Sequence, residues 1–196
     1  LWTDRAISYR TAKGFDHFDV ALSVCIQKMV RSDLASSGVA FSLDTESGFR
    51  NAVIINGSYG LGEMIVQGSV SPDEFVVFKP TLANGFASII EKNLGNKDRK
   101  MVYGDDPGQL TRIIHVQKDQ QQKFCINDEQ VLELSKWVCA IENYYSEKKG
   151  HWCPMDVEWA VDGLTNQLFI VQARPETIHS QADHHCHRRG ADRARQ

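Results

Sequence analysis

The sequence predicts an α+β fold: a largely antiparallel sheet with flanking helices. Short runs of β-branched and aromatic residues recur along the chain, and the connections between them are mostly too brief for parallel crossovers. One stretch breaks that rhythm. Val131, Leu134, Val138 and Ile141 recur at helical spacing behind the capping pair Asn127-Asp128. Near the C-terminal end, the acids Asp156 and Glu158 face a glutamine and an arginine across a turn at Asp162-Gly163, the pattern of a hairpin.

Taken in order, Thr3 or Asp4 can cap a helix that runs to Gly14. Val20, Leu22, Val24 and Ile26 alternate as in a strand over 20–30, followed by Met29 and Val30. A second strand over 37–43 closes in the turn-rich stretch 44–48. The short run 52–55 reads as a buried strand that enters a glycine-rich connection over 56–63, with Gly57, Gly60 and Gly62. Residues 64–68 suit one helical turn, and Pro72-Asp73 opens a strand over 74–78. Further β segments are expected over 88–92, 99–103 and 112–116. The long helix is expected to end near Tyr145, before a charged loop over 146–150, and the strands 155–161 and 167–173 follow.

Composition bounds the function. The chain has 196 residues, 42% hydrophobic and 24% charged, which suits one compact domain or part of a larger one. Lys+Arg total 22 against 25 Asp+Glu, a net charge of -3, so no basic excess points to nucleic acid as a partner. No apolar run is long enough to span a bilayer, and no charged-then-apolar leader opens the chain. The five cysteines (Cys25, Cys125, Cys139, Cys153, Cys186) form no CxxC pair, which reads as reduced thiols and a cytoplasmic location. A first residue Leu1 in place of Met reads as a piece of something longer. Composition shifts after residue 178. Residues 179–196 hold four of the seven histidines and four arginines with little that is large and apolar, and are expected to be a disordered or aberrant tail; no metal is assigned to His184, His185, Cys186 or His187.

The chemistry concentrates on the hairpin. Side chains alternate along a strand, so Asp156 and Glu158 share one face, and Gln172 and Arg174 share a face of the next strand. Pairing around Asp162-Gly163 sets 158 opposite 172 and 156 opposite 174. Magnesium takes one or two carboxylates together with substrate phosphates, and a guanidinium fork suits the remaining phosphate oxygens. The same four residues are also compatible with a plain cross-strand ion pair on a solvated face. Upstream, the glycine loop can bring backbone N–H groups close to a ligand, with Glu63 able to accept from ribose hydroxyls. Its spacing is neither a Walker A loop nor a dinucleotide fingerprint, and it also reads as a simple turn. The stretch Gln27-Lys28-Met29-Val30 can offer strand-edge backbone groups to an adenine while Met29 packs on the ring; its alternative is an ordinary core strand. Ser36-Ser37-Gly38 can line a phosphate channel or make a turn. No G-x-S-x-G elbow and no motif-like Cys–His pair supports nucleophilic catalysis, and a glycosidase reading of Asp156 and Glu158 leaves Gln172 and Arg174 unexplained.

Together these segments are similar to the ATP-grasp nucleotide-binding domain of the phosphoenolpyruvate-utilising dikinase family, and within it to the phosphoenolpyruvate synthases (pyruvate, water dikinases). The resemblance runs over 1–178 through Thr3-Asp4-Arg5-Ala6-Ile7-Ser8-Tyr9-Arg10, Gln27-Lys28-Met29-Val30-Arg31-Ser32-Asp33 and Ser37-Gly38-Val39-Ala40-Phe41-Ser42. It continues through Gly60-Leu61-Gly62-Glu63, Pro72-Asp73-Glu74-Phe75, Asp156-Val157-Glu158-Trp159 and Gln172-Ala173-Arg174-Pro175-Glu176-Thr177. It implies a partial ATP-grasp fold, incomplete at its N-terminal side. ATP would be the substrate and Mg²⁺ the cofactor. The metal would sit on Asp156, Glu158 and Gln172. Arg174 would act on phosphate as the catalytic residue, and Gln27, Met29, Val30, Glu63 and Gln172 would complete the ATP site. The implied reaction turns ATP, pyruvate and water into AMP, phosphoenolpyruvate and phosphate through a phosphohistidine on a domain absent here; pyruvate would bind absent domains too, and the full-length enzyme's homo-oligomeric state stays open. Two alternatives stand beside it: a non-catalytic remnant or partner module, and a related phosphotransferase with another acceptor. The chain departs from the family in a longer link over 146–153 and in Cys153, where a basic residue is expected.

Overall fold

A computed structural model describes residues 1–106 and 108–176; the tail expected over 179–196 lies outside the described residues. Helix α1 (Asp4–Lys13) begins as the sequence predicts: the Ala6 N–H donates to the Thr3 hydroxyl, and Gly14 closes the helix in the left-handed conformation at φ 70°. Six strands form the main sheet: β1 (Ser36–Phe41), β2 (Ala52–Tyr59), β3 (Asp73–Phe78), β4 (Ile89–Asn93), β7 (Met155–Val161) and β8 (Leu168–Pro175). Their order is β4-β3-β2-β1-β7-β8 and every neighbouring pair is antiparallel. A separate two-stranded ribbon pairs β5 (Arg99–Tyr103) with β6 (Thr111–His115). The fold class read from the sequence is the one observed.

One sheet face is packed and the other is open. Ala40, Val53, Ile55, Phe75, Val77, Val157 and Trp159 meet Val131, Leu134 and Val138 of the long helix α5 (Asp128–Lys149) in the main core. Burying each Val, Leu, Ile or Phe side chain of this layer contributes about 1.5–3 kcal/mol, so the layer dominates the stability of the domain. Asn127 and Gln130 form a reciprocal capping box at the start of α5. The helix runs four residues past Tyr145, so the stretch expected as a charged loop is its last turn. Lys148 and Lys149 suit the negative end of the helix dipole, and Gly150 supplies the left-handed cap at φ 71°. The Glu142 carboxylate pins the middle of α5, accepting from Lys79 Nζ at 2.6 Å and from Trp152 Nε1 at 2.9 Å. Lys79 begins α3 (Lys79–Ala83), a short helix that the sequence reading missed, as it missed α4 (Lys118–Gln121) and a 3₁₀ turn at Ser32–Leu34. Cys25, Cys125, Cys139 and Cys153 are free thiols, and burial, then the Asp73 charge, pushes the Cys125 thiol well up.

Two expectations need correction. Residues 20–30 form no strand: Leu22, Val24 and Ile26 are exposed, Ile26 to 96%. A strand is stabilised by its ladder of backbone partners, and none of the six strands lies beside this stretch, so the right periodicity has nothing to pair with. The expected glycine loop also starts too early, because Asn56, Gly57 and Ser58 continue β2. Gly57 pairs with Gly38, and Gly38 with Trp159, so a row of missing side chains makes room for the Trp159 ring. A Cβ on Gly57 would sit 2.8 Å from both Cys125 Sγ and the Trp159 ring. Gly57→Ala is therefore expected to destabilise the fold by about 1–3 kcal/mol through overpacking, which exceeds the ~0.4–1 kcal/mol that a Gly→Ala change gains from the unfolded chain. Comparing urea-unfolding midpoints of wild type and variant checks the sign.

Candidate functional site

The β7–β8 hairpin has the register that the spacing predicts: Asp156 lies opposite Arg174 and Glu158 opposite Gln172. Met155, Val157 and Trp159 enter the α5 core, so alternation turns Asp156 and Glu158 to the open face. The connection is wider than the expected turn at Asp162-Gly163 and covers 162–167. The Asp162 N–H donates to the Gln167 carbonyl, and the Asp162 carboxylate accepts from the N–H groups of Leu164 and Thr165. These backbone bonds, led by Leu164 and joined by Arg31, hold the Asp162 carboxyl below its usual range. The register slips by one between Glu158 and Trp159, a bulge that leaves Val171 without a partner of its own.

The Arg174 guanidinium donates from Nε to Asp156 Oδ2 at 2.7 Å, with side chains 60% and 13% exposed. The hydrogen bond and charge of Asp156, then the charge of Glu158, hold the guanidinium above its ordinary value. The cross-strand ion pair anticipated from the spacing is thus formed, and at this exposure it contributes little to stability by itself.

Glu158 also reaches further. It lines a cleft of about 690 Å³ together with Gln27, Met29, Val30 and Glu63. Five of the eight residues expected at the ATP and metal site, up to 131 positions apart, therefore share one cavity; Asp156, Gln172 and Arg174 stand outside its lining, on the same strand pair. Met29 itself is 64% exposed, so the alternative of an ordinary core strand is not met. The stretch 27–30 has no sheet to hold it, but Arg31 anchors its end. The Arg31 N–H donates to Asp162 Oδ2 at 3.3 Å, the Gly163 N–H donates to the Arg31 carbonyl at 3.0 Å, and the Arg31 side chain forks onto Asp33 at 2.8 and 2.9 Å. Glu63 opens α2 (Glu63–Val66), and its Oε1 accepts from Gln67 Nε2 at 2.9 Å.

The glycine loop does less than the sequence suggests. Its Gly60 and Leu61 N–H groups already donate to the carbonyls of Ala35 and Met101, so they are not offered to a ligand. Ser37 lines the cleft, and its hydroxyl donates to the Gly60 carbonyl at 2.6 Å. Cys153 is buried in the α5 core, on the side away from Asp156 and Glu158. Lys28 lines the cleft with its neighbours, and the cleft residues that the sequence reading missed include Gln67, Tyr103 and Thr111. Tyr103 and Thr111 come from the β5–β6 ribbon, and no local pattern links that ribbon to the hairpin.

Among the described residues no three His, Cys, Asp or Glu side chains converge to hold a metal ion. A carboxylate pair with a neighbouring amide is nonetheless the hard-oxygen donor set for an ion that draws the rest of its shell from phosphates and water, and Glu158 offers its carboxylate at the cleft wall. That donor set fits Mg²⁺ on a nucleotide. Among the described residues, no helix is long and apolar enough to cross a membrane.

Residues 1–194 match the family described as "Pyruvate phosphate dikinase, AMP/ATP-binding domain". The chain is 58% identical over 181 residues to the phosphoenolpyruvate synthase of Aquifex aeolicus (strain VF5), covering 92% of this chain and 21% of that protein. It is 61% identical over 181 residues to the Synechocystis sp. phosphoenolpyruvate synthase and 52% identical over 183 residues to that of Escherichia coli (strain K12); each match covers 92% of this chain and 22% of the relative. The chain thus spans about a fifth of the length of these relatives.

Proposed function

The chain belongs to the pyruvate phosphate dikinase AMP/ATP-binding domain family, and from that membership we propose that its open-face cleft binds ATP with Mg²⁺ as the nucleotide-binding portion of a pyruvate, water dikinase-type phosphotransferase. The observation that carries the reading is the convergence of Gln27, Met29, Val30, Glu63 and Glu158 on one cleft, whose size is ordinary for a small-molecule site. In this arrangement the backbone of 27–30 meets the adenine edge and Met29 packs on the ring. Glu63 accepts from ribose hydroxyls. The phosphates run toward the hairpin, where Glu158, Gln172 and Asp156 hold the metal. Arg174 uses one of its five N–H donors on Asp156, and its terminal nitrogens are suited to phosphate oxygens.

Bound Mg²⁺ would supply charge neutralisation on the phosphate oxygens. The protein's own contribution is positioning. Asp156 orients the guanidinium, alternation along β7 turns Glu158 to the cleft side, and Arg31 fixes the base-binding segment to the same hairpin. The overall reaction proposed is ATP, pyruvate and water to AMP, phosphoenolpyruvate and phosphate, with the phosphohistidine and the pyruvate site carried by parts of the enzyme other than this cleft.

A thermal melt of the chain with and without MgATP, with EDTA as the control, tests the binding. Ligand at 100 times its dissociation constant stabilises by about 2.7 kcal/mol. For a chain of this size that is a rise of roughly 5–10 °C, lost when EDTA is added. An unchanged midpoint on a folded baseline would overturn the proposal.

A further inference from the structure

One wall of the cleft is a face of α2: Glu63, Val66 and Gln67, at i, i+3 and i+4, line it together. Met64 turns the other way, 3% exposed, and packs with Val70 and Met101 beside Leu61 and Ile65. That small core, and the Leu61 N–H donated to the Met101 carbonyl, fix the helix against β5. The backbone under Glu63 and Gln67 is therefore set before any ligand arrives. What the packing does not set is the rotamer of Glu63, whose side chain is exposed and has several torsions to lose.

Gln67 supplies that constraint. Its backbone N–H donates to the Glu63 carbonyl at 3.0 Å. Its Nε2 donates to Glu63 Oε1 at 2.9 Å, the one hydrogen bond that the Glu63 side chain makes among the described residues. An ionised carboxylate only accepts, so the amide presents its nitrogen, and Oε2 keeps its lone pairs for another donor. An exposed pair at this spacing adds little to the stability of the fold. Its consequence lies in the cleft, where it removes torsional freedom that Glu63 would otherwise lose on binding. Resting on the nucleotide reading above, we infer that Gln67 is a positioning residue for sugar recognition. It holds Glu63 Oε1 so that Oε2 is oriented in advance to accept from the ribose hydroxyls, and it acts through Glu63 without touching the nucleotide.

The test compares ATP with 2′,3′-dideoxy-ATP, which lacks both sugar hydroxyls, by calorimetry in the presence of Mg²⁺. In wild type the hydroxyls are expected to improve binding by about 10-fold or more, as hydrogen bonds to a charged acceptor do. Gln67→Ala should reduce that advantage by about 3–10-fold while leaving the dideoxy-ATP affinity and the thermal midpoint unchanged. Gln67→Glu keeps the side-chain length but repels Glu63, and should reduce the advantage at least as far; a residue 67 that itself accepted from the sugar would preserve it. In a Glu63→Ala background, Gln67→Ala should change neither affinity. An advantage untouched by Gln67→Ala, one preserved in Gln67→Glu, or additive losses in the double variant would each overturn the inference. Equal binding of both nucleotides by wild type would overturn the ribose role of Glu63, and that of Gln67 with it. Wild type that binds neither would overturn the nucleotide reading itself and both assignments.

Discussion

Glu158→Ala is expected to weaken Mg²⁺-dependent ATP binding by about 30-fold or more while leaving the melting midpoint nearly unchanged. Removing one partner from a desolvated charge contact costs about 2–5 kcal/mol, and each 1.4 kcal/mol is tenfold in affinity. The fold should tolerate the change because Glu158 faces the cleft, while its neighbours Val157 and Trp159 carry the packing against α5. The charge of Glu158 is felt by the exposed Arg174, but the direct partner of that guanidinium is Asp156. Glu158→Gln separates the charge from the side-chain volume. If the carboxylate holds the metal, Gln loses nearly as much as Ala. ATP affinity equal to wild type in Glu158→Ala, measured by calorimetry with and without EDTA, would reduce the hairpin to a surface ion pair and remove the metal site.

The second large effect is on stability, at a site that the function does not use. Lys97 and Asp73 form an ion pair with both side chains at 0% exposure. Asp73 Oδ1 also accepts from the Gly95 N–H at 2.9 Å and Oδ2 from the Cys125 N–H at 2.7 Å, while Lys97 Nζ donates to the Gly95 carbonyl at 2.9 Å. One carboxylate thus ties together the start of β3, the loop after β4 and the approach to α5. Lys97→Met keeps the length of the side chain but strands a carboxylate in the core, a change that typically costs about 3–5 kcal/mol. For a chain of this size the midpoint should fall by roughly 6–20 °C. Lys97→Met/Asp73→Asn should recover part of that loss, because the stranded charge is then gone while the amide oxygen still accepts from one of the two backbone N–H groups. Urea unfolding of both variants checks this. A loss below about 1 kcal/mol in Lys97→Met would mean that water or a rearranged loop already solvates Asp73.

Much of this protein was legible in its sequence because the signals were local. The capped helix from Thr3 to Gly14, the capping box at Asn127, the period-2 strands and the 156/174 and 158/172 pairs all depend on residues within a few positions of one another or across one hairpin. What alternates along a strand must alternate between faces, so the convergence of two acids, an amide and an arginine followed from spacing alone. The tertiary structure decided what local pattern cannot: which alternating segment finds a ladder, and which glycine serves packing. Residues 20–30 have the periodicity of a strand but no neighbour in the sheet, while Gly57 is required by a tryptophan more than a hundred residues away. Tyr103 joins the cleft only because the β5–β6 ribbon folds against it. A side chain's partners across the fold depend on how elements pack, and that information is spread over the whole chain, not written at any one position in it.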